Sequence, residues 1–508
     1  MQAIDTAQEV SFTQQDARQR KAMLEGFYDF TMFNEDDTQS ALAMAIPSRA
    51  QVVPLGKQFA LLPSRTHETA LCTDIFEQTI RPFQSVSNTD RLVEIERRAL
   101  TFRNVYQKLL PEIELLDPCR NVSKEIHTYG LVFQTGDEIN TIDSYYLVVL
   151  TEMQNVQRIG NFLTNNNDRS IISLNFSDKL PGYALFSGCF VVLKGIFNLS
   201  TFLVNDIIRA PIPQTPKLPP SIVSSLNTQL PHRMFYNEQN LQIFVAAGPY
   251  SSNSSPFDFL YFNKFLQQVA NHVPDCLVLM GPFLPDKSFL KNRPETFPNV
   301  LFFDNFLKQL IDFRRAIPTC NVLIVPHRDC ILTNRLYPCP PLQLLPNSYI
   351  DQNKRLQTQG KAPIAVNPLH YLHSLPAPAK FWLNDMLMYI TGDDALRHIA
   401  KTEVCSYKGD RTQRLLAHLL TQRHLSPTFP NNALCVPDKY MGFSVAPHIM
   451  LTCSVLPTST YALDNSIAVS VQSLNRKSFC SISIFPNTGT APIDTGKRCN
   501  VQFLKLKV

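Results

Sequence analysis

Hydrophobic and polar residues follow two alternating periods in the C-terminal half of the chain. Short apolar runs, typical of buried strands, are separated by stretches in which apolar residues recur every three or four positions, as on one face of a helix. Strands that alternate with helices of this length indicate βαβ units, which build a sheet with helices on both faces. The pattern predicts strands at 241–247, 276–280 and 321–325 and helices at about 256–273 and 300–315.

Two of these predicted strands end in the same dipeptide. The first is followed by Gly248, Pro249 and Tyr250, and the second by Gly281, Pro282 and Phe283. Loops beyond the carboxyl ends of strands in an α/β sheet usually carry ligand-binding or catalytic residues. These loops therefore have the position of an active site. A hydrolase would need carboxylates here, however, and these residues are glycine, proline and aromatic residues.

A different pattern occupies about 126–208, where five short apolar runs are separated by Gly, Asn and Asp turns. Five strands with a glycine at a corner predict a small β-barrel, and an OB-fold is the economical choice at this size. Such barrels bind single strands by stacking bases on exposed aromatics over a basic groove. Because lysines and arginines are few here, core packing is the favoured role of the aromatic residues Tyr145, Tyr146, Phe176 and Phe186.

The remaining segments complete an α+β multidomain chain. One helix, or a kinked pair, is predicted at 90–116, where Pro111 interrupts a run of apolar residues at helical spacing, namely Leu92, Ile95, Leu100, Val105 and Leu109. We expect five segments: a partly ordered, partly helical region at 1–88, a connecting helix at 89–124, the OB-fold at 125–210, a Pro-rich linker at 211–235 and an α/β sandwich at 236–508. In the sandwich, further strands are predicted at 364–367 and 382–390, helices at 393–401 and 411–425, and four strands in the tail.

Composition limits the location and the partners of the protein. The 508 residues are 44% hydrophobic, and the net charge of +5 is too small to indicate a dedicated nucleic-acid domain. The first residues are too polar for a signal peptide, and the apolar runs are far shorter than the roughly 20 residues of a membrane-spanning helix. Twelve cysteines without any Cys-x-x-Cys then favour a reduced intracellular compartment, with no membrane association.

The first chemistry to test is that of a dinuclear metal phosphoesterase. Two neighbouring cations need a bridging carboxylate and further carboxylate or imidazole ligands in successive loops. Pro282 occupies the bridging position and cannot bind a metal, and Asp286 follows Pro285 one residue out of place. The third loop carries His327, Arg328 and Asp329. There the neighbouring arginine and aspartate are better suited to an ion pair than to holding a cation, so a degenerate site without metal or other cofactor is expected.

Zinc and nucleophile chemistry are also poorly supported. Cys320, Cys330 and Cys339 lie ten and nine residues apart, and His370 and His373 sit in a Pro-rich loop, whereas structural zinc sites need tight paired spacing. We therefore expect isolated buried thiols and surface histidines. The chain contains neither Gly-x-Ser-x-Gly nor a Gly-rich phosphate loop, so the sequence predicts no catalytic residues.

Four segments together resemble the B subunits of eukaryotic replicative DNA polymerases: AAGPY, LMGPFLPD, VPHRD followed by LYPCPPL, and YALFSGCFVVLKG. The resemblance spans about residues 125–508. Within the family, the chain most resembles the polymerase α branch. In that family an OB-fold carries a Leu-Phe-Pro-Gly corner, matched here by Leu185, Phe186 and Gly188 with Ser187 in the proline position. A calcineurin-like phosphoesterase domain follows that has lost its metal ligands and kept the Gly-Pro-Phe loop.

The resemblance implies a nuclear, non-catalytic scaffold in the initiation of DNA replication. Its partners would be the C-terminal zinc-bearing module of the polymerase catalytic subunit and, through the complex, the primase subunits, with DNA bound at most weakly or indirectly. Pro and aromatic residues in the Gly-Pro loops would suit protein contact. Three alternatives stay open: a B subunit of polymerase δ or ε, a divergent active metallophosphoesterase, and a separate single-strand-binding OB-fold protein.

Overall fold

The computed structural model divides the chain into two compact units, one of residues 48–342 and 371–508 and the other of residues 1–47 and 343–370. The elements below belong to the first unit. The predicted strand at 364–367, Pro285, Asp286 and His370 lie outside the described residues, as does the predicted N-terminal region at 1–88 apart from residues 52–54 and 88. The structure describes residues 52–54, 88–134, 145–151, 171–178, 180–217, 240–251, 258–284, 298–317, 319–333, 339–344, 358, 372–429, 441–486 and 495–507.

Strands and helices are numbered in chain order. The strands are β1 (Val52–Pro54), β2 (Glu125–Gln134), β3 (Tyr145–Val149), β4 (Ile171–Phe176), β5 (Ala184–Leu185), β6 (Phe190–Asn198), β7 (Thr201–Ile208), β8 (Leu241–Ala247), β9 (Cys276–Met280), β10 (Asn321–Val325), β11 (Leu372–Ser374), β12 (Ala379–Leu383), β13 (Met386–Ile390), β14 (Val404–Cys405), β15 (Ile449–Ser454), β16 (Ser459–Leu463), β17 (Ser466–Gln472), β18 (Ser478–Ile484) and β19 (Cys499–Lys505). The α-helices are α1 (Asn88–Leu109), α2 (Leu260–Ala270), α3 (Pro298–Leu301), α4 (Lys308–Ala316), α5 (Ala395–Thr402), α6 (Arg411–Thr421) and α7 (Thr495–Arg498). A π-helical turn at Phe302–Leu307 joins α3 to α4.

Five strands close into a barrel in the order β2-β3-β4-β7-β6. Its position agrees with the barrel predicted from the turn pattern. Helix α1 covers one side of the barrel, with Ile95, Ala99, Phe102 and Tyr106 in a shared apolar cluster. These four positions form one helical stripe, whereas the predicted stripe is wrong at its end, since Leu109 is 41% exposed. The helix ends there, two residues before Pro111, which cannot donate a backbone hydrogen bond.

Two six-stranded sheets form the C-terminal part of this unit. One has the order β11-β10-β9-β8-β18-β19, in which β8, β9, β10 and β11 are parallel and the last two strands are antiparallel. The other has the order β1-β12-β13-β15-β17-β16. The predicted bounds of β8, β9 and β10 are confirmed. Their residues are almost all buried, as expected for parallel strands covered on both faces.

The predicted single strand at 382–390 is wrong. The segment is a tight antiparallel hairpin of β12 and β13, which pairs Leu383 with Met386. Asn384 adopts a positive φ of 52°, a conformation that asparagine tolerates better than most residues. Asp385 then receives both guanidinium nitrogens of Arg498 at 2.7 and 3.1 Å, which ties this turn to the start of β19. Among the described helices, none is long and apolar enough to cross a lipid bilayer.

Candidate functional site

The three predicted loops lie side by side at one edge of the parallel sheet. Strands β8, β9 and β10 pair in parallel and in register, so their carboxyl ends meet at this edge. The N–H of Gly248 donates to the carbonyl of Met280, and that of Gly281 to the carbonyl of Val325, both at 2.8 Å. Each loop therefore continues the hydrogen bonding of its strand by one residue. We call this row of loops the loop edge.

Two glycines let the backbones of these loops touch. A Cβ added to Gly248 would lie 1.8 Å from the carbonyl oxygen of Pro282, and one added to Gly281 would lie 2.8 Å from the backbone nitrogen of His327. Real Cβ atoms do not approach this closely, so any side chain at Gly248 requires the second loop to move. A carboxylate at this place is consequently incompatible with the observed packing of the loops.

The aromatic residues of the two Gly-Pro loops point into the protein. Tyr250 and Phe283 have no exposed surface and stack with ring centroids 5.8 Å apart. The Tyr250 hydroxyl lies 3.0 and 2.8 Å from the carbonyl oxygens of Ala246 and Met280. Further rings surround this pair, from Phe262, Phe302 and Phe306. The expectation that these two aromatics line a protein-contact surface is wrong, because burial removes them from any partner.

The third loop uses its polar residues to hold itself in place. His327 is 5% exposed, and its Nδ1 accepts the backbone N–H of Asp329 at 3.1 Å. Burial lowers the pKa of His327, so the neutral imidazole is favoured. The backbone N–H of Arg328 donates to Gly392, and its guanidinium lies 3.9 Å from the carboxylate of Asp393. The ion pair expected between Arg328 and its neighbour is thus made with Asp393, and Asp329 is exposed.

Sequence reasoning missed the most buried carboxylate at this edge. Asp393 follows β13 in the second sheet, and its side chain is 2% exposed. Its Oδ1 lies 3.3 Å from Nε2 of His398, while Oδ2 is buried with no hydrogen-bond partner among the described residues. Burial alone raises the pKa of Asp393, but the hydrogen bond from His398 and the charges of His398, His327 and Arg328 lower it overall. The signal in the sequence is Thr-Gly-Asp-Asp directly after an apolar run, the position that follows the end of a strand.

The neighbouring Asp394 has a structural role. It is the N-cap of α5, accepting the N–H of Arg397 at 3.0 Å, and it also accepts hydrogen bonds from Ser454 and the backbone of Val455. A capping aspartate of this kind stabilises the start of the helix. With its oxygens engaged in this way, Asp394 joins α5 to the end of β15.

Metal-binding groups are not brought together in the described part of the chain. No group of three or more His, Cys, Asp or Glu side chains there is arranged to hold a metal ion. Cys320, Cys330 and Cys339 are buried, as predicted, and none of them forms a disulfide. His373 is only partly buried, and its Nε2 lies 2.9 Å from the side-chain oxygen of Asn321. Zinc ligation by these residues is therefore not supported by their positions.

The predicted barrel corner lies between β5 and β6 and packs on the sandwich. Gly188 has a φ of +113°, and a Cβ on it would lie 2.4 Å from the carbonyl oxygen of Pro427 and 2.5 Å from the nitrogen of Phe429. The carbonyl of Ser187 accepts the N–H of Phe429 at 2.9 Å, and the Ser187 N–H donates to the Thr402 hydroxyl at 3.3 Å. A proline at position 187 could not make the second bond.

The other corner residues and their neighbours complete this contact, which we call the joint. Leu185 pairs with Val404 in the two-stranded β5–β14 ladder. Phe186 has no exposed surface and meets the His418 ring edge-on, with centroids 4.9 Å apart. The Gln422 side chain also exchanges two hydrogen bonds with the backbone of Phe190, at 2.9 and 3.2 Å. The corner is therefore an attachment point between barrel and sandwich.

A buried carboxylate organises the polar side of the joint. Glu403, whose side chain is 1% exposed, receives two hydrogen bonds from Arg414 at 2.7 and 3.0 Å. Arg411 and His418 approach the same carboxylate at 3.6 and 3.4 Å. Burial by itself raises the pKa of Glu403, but the contacts with His418 and Arg414 reverse the effect and lower it to about 2. A bidentate arginine is the arrangement that best compensates a buried carboxylate.

Comparison with known proteins relates this geometry to one family. Residues 243–461 match the family of B subunits of DNA polymerase alpha/epsilon. The B subunit of DNA polymerase alpha from Schizosaccharomyces pombe is 22% identical over 425 residues, which cover 78% of this chain and 70% of that protein. Its counterpart from Rattus norvegicus, also a B subunit of DNA polymerase alpha, is 27% identical over 289 residues, which cover 55% of this chain and 42% of that protein.

Comparison with solved structures gives weaker information than comparison of sequences. A crystal structure of a Thermus thermophilus protein matches over 53% of this chain and all of its own, at 11% identity and a TM-score of 0.24. That score is too low to support an argument about fold. The sequence matches and the family model, which covers the loop edge, confirm the resemblance: the chain is similar to the B subunits of replicative DNA polymerases, and the matched proteins named above are those of DNA polymerase alpha.

Proposed function

We propose that this protein is a non-catalytic accessory B subunit of a nuclear DNA polymerase α–primase complex. The observation that carries the proposal is the loop edge itself, in which two interlocked Gly-Pro turns and inward-facing aromatics occupy the place of catalytic carboxylates. The curated relatives reported above are B subunits of DNA polymerase alpha, which favours the α branch over the δ and ε branches. The role follows as that of a scaffold in the initiation of DNA replication.

The domain assignment is part of this proposal. The closed barrel with strand order β2-β3-β4-β7-β6 is assigned as an OB-fold, since five strands in a small closed barrel are typical of that fold. The two-sheet region is assigned as a calcineurin-like phosphoesterase domain that has lost its metal ligands. Support for the second assignment comes from the parallel strands β8, β9 and β10, with three successive loops at one edge.

The proposed partner is the C-terminal zinc-bearing module of the polymerase catalytic subunit, which would bind across the barrel and the sandwich. Through it the primase subunits would belong to the same complex. The joint supports this role, because a corner fixed by Ser187, Gly188 and Gln422 offers a partner one continuous surface rather than two independent ones. Preorganised surfaces of this kind bind with a smaller entropic cost than mobile ones.

Co-purification of the tagged full chain from its own cells tests the proposed partnership. We expect a polymerase α large subunit and primase in stoichiometric amounts. Recovery of the δ or ε large subunit instead would assign the chain to another branch. Recovery of no polymerase subunit would contradict the proposal.

A phosphodiesterase assay with manganese tests the absence of catalysis. The wild-type chain and the Asp329→Asn and Asp393→Asn variants should all show only background hydrolysis of a bis-nitrophenyl phosphate substrate. Metal-dependent hydrolysis by the wild type that either substitution abolishes would establish the divergent phosphoesterase alternative. A nearby exposed aspartate in neither loop, Asp304, provides the control substitution Asp304→Asn.

A further inference from the structure

Four cations lie together where β18 begins and β19 ends. They are Arg476, Lys477, Lys505 and Lys507, and all four are exposed. Strands β18 and β19 pair antiparallel, which places Ser478 opposite Lys505. The backbone N–H of Leu506 also donates to the carbonyl of Lys477 at 2.9 Å. The two pairs of cations, distant in sequence, therefore share one end of the sheet.

A side chain from α2 fixes the backbone that carries two of these cations. The Gln268 amide nitrogen donates to the carbonyl of Lys505 at 3.3 Å, and its oxygen accepts the N–H of Lys507 at 3.1 Å. The strand end is thus held by its main chain while both lysine side chains project outward. Lys477 Nζ lies 5.7 Å from the ring centroid of Tyr261 on the same helix. We call this group of four cations the cationic end.

The cationic end belongs to the same rim of the protein as the loop edge. Strand β18 runs antiparallel to β8, with Cys480 opposite Val245, so β18 begins where β8 ends. Between them, the Ser473 hydroxyl donates to the carbonyl of Pro249 at 3.3 Å. The four positive charges consequently flank the first Gly-Pro loop.

The charges of the cationic end are not compensated within the described part of the chain. None of the four side chains makes a salt bridge there, although Arg498, seven residues before Lys505, is paired with Asp385. An acidic residue at the start of α2, Asp258, accepts the N–H of Leu260 at 2.9 Å. Four exposed cations at one end of the sheet repel one another, so an anionic partner with several charges would relieve an existing cost.

We propose that the cationic end binds the phosphate backbone of single-stranded nucleic acid. Lysine and arginine side chains contact successive phosphates without reading sequence. An aromatic ring lies beside them, because Phe503 is 36% exposed and shares its strand face with Lys505. Base stacking on such a ring favours a single-stranded nucleic acid over an acidic peptide, which has no bases to stack. The choice of nucleic acid also agrees with the proposed function but does not require a polymerase partner.

Fluorescence anisotropy of the full chain with a labelled oligothymidylate tests the proposal. Four phosphate contacts predict that log K falls with log salt with a slope of about −3, which is roughly a 50-fold loss of affinity between 50 and 200 mM salt. Replacing all four cations by Gln should abolish this dependence. The double variants Arg476→Gln with Lys477→Gln, and Lys505→Gln with Lys507→Gln, should each halve the slope. Phe503→Leu should weaken binding severalfold while leaving the slope unchanged.

A matched control removes the same number of exposed cations elsewhere, through Gln substitutions at Lys108, Lys124, Lys401 and Lys408. It should bind like the wild type, and thermal melting should show that all variants remain folded. Equal loss in the control, or no oligothymidylate binding by the wild type at low salt, would overturn the proposal. Binding of polyglutamate in place of oligothymidylate would also overturn it, in favour of an acidic protein partner. If the four-Gln variant loses oligothymidylate binding but still co-purifies with polymerase subunits, nucleic-acid binding at the cationic end is independent of the proposed function as an accessory subunit.

Discussion

The loop edge and the joint bury polar groups in opposite ways. At the loop edge, Tyr250 and Phe283 fill the interior with aromatic rings, and the backbones touch through glycines. At the joint, Glu403 and Gln422 are buried as hydrogen-bonded polar groups, and the partly buried Arg414 pairs with Glu403. The first arrangement packs rings and loop backbones closely together, whereas the second uses buried charge to fix one orientation. We infer that the loop edge is a closed, tightly packed wall and that the joint determines how the barrel is oriented on the sandwich.

The largest effect is expected from Glu403→Gln. This change leaves the partly buried Arg414 guanidinium without the buried carboxylate of Glu403, and removing one partner of a buried ion pair costs about 3–5 kcal/mol of unfolding free energy. Denaturant unfolding of both chains measures the difference. The matched variant is Glu125→Gln, which disrupts an exposed ion pair with Lys194 and should leave stability unchanged. Equal behaviour of the two variants would remove the distinction between the joint and the surface.

Gly188→Ala should be the next most damaging change. The added methyl group meets three backbone atoms of the 427–429 segment, and the positive φ adds strain, so we expect a loss of about 2–4 kcal/mol. Gly409→Ala is the control, since Gly409 also has a positive φ, of 145°, but faces open space. The difference between the two variants in denaturant midpoint isolates the contact at the joint. If the two midpoints are equal, backbone strain alone explains why glycine occupies position 188.

Gly248→Ala tests the loop edge in the same way. Its Cβ would overlap the Pro282 carbonyl, and the second loop must shift, at a cost of about 2–3 kcal/mol. Gly442→Ala is the comparison, because the nearest atom to its added Cβ is 3.7 Å away. Thermal melting of both variants is the measurement. A Gly248→Ala protein as stable as the wild type would show that the loops are not interlocked.

The smallest expected effect is a dependence of stability on pH. Burial lowers the pKa of His327 at the loop edge and of His418 at the joint. A histidine whose folded pKa is lowered takes up its proton first in the unfolded chain, so stability should fall as pH drops below the ordinary value of 6.5. Glu403 acts in a lower window, where stability falls between pH 4.5 and about 2 as its carboxylate is protonated.

Two single variants show which histidine causes the loss of stability below pH 6.5, His327 at the loop edge or His418 at the joint. His327→Gln and His418→Gln should each flatten the loss of stability just below pH 6.5, as followed by thermal melting across pH. A profile unchanged by both substitutions would mean that neither histidine is buried in its neutral form.

Local pattern was enough to predict much of this protein. The bounds of β8, β9 and β10 follow from uninterrupted apolar runs, and the two Gly-Pro loops follow from the residues that end them. The Gly, Asn and Asp residues of its turns were enough to predict the position of the barrel. These features depend on residues that are neighbours in sequence, where periodicity and turn chemistry act directly.

Only the tertiary structure decided which distant residues meet. Arg328 pairs with Asp393 rather than with its neighbour, Glu403 gathers partners beneath the barrel corner, and two aromatics turn inward that the sequence suggested were available to a partner. The cationic end likewise joins residues near 476 with residues near 505. Contacts of this kind depend on sheet order and packing, which a single sequence does not encode locally. Sequence alone thus determined the strands, the loops and the family likeness, whereas packing decided that the loops form a closed wall and that the barrel corner is a joint.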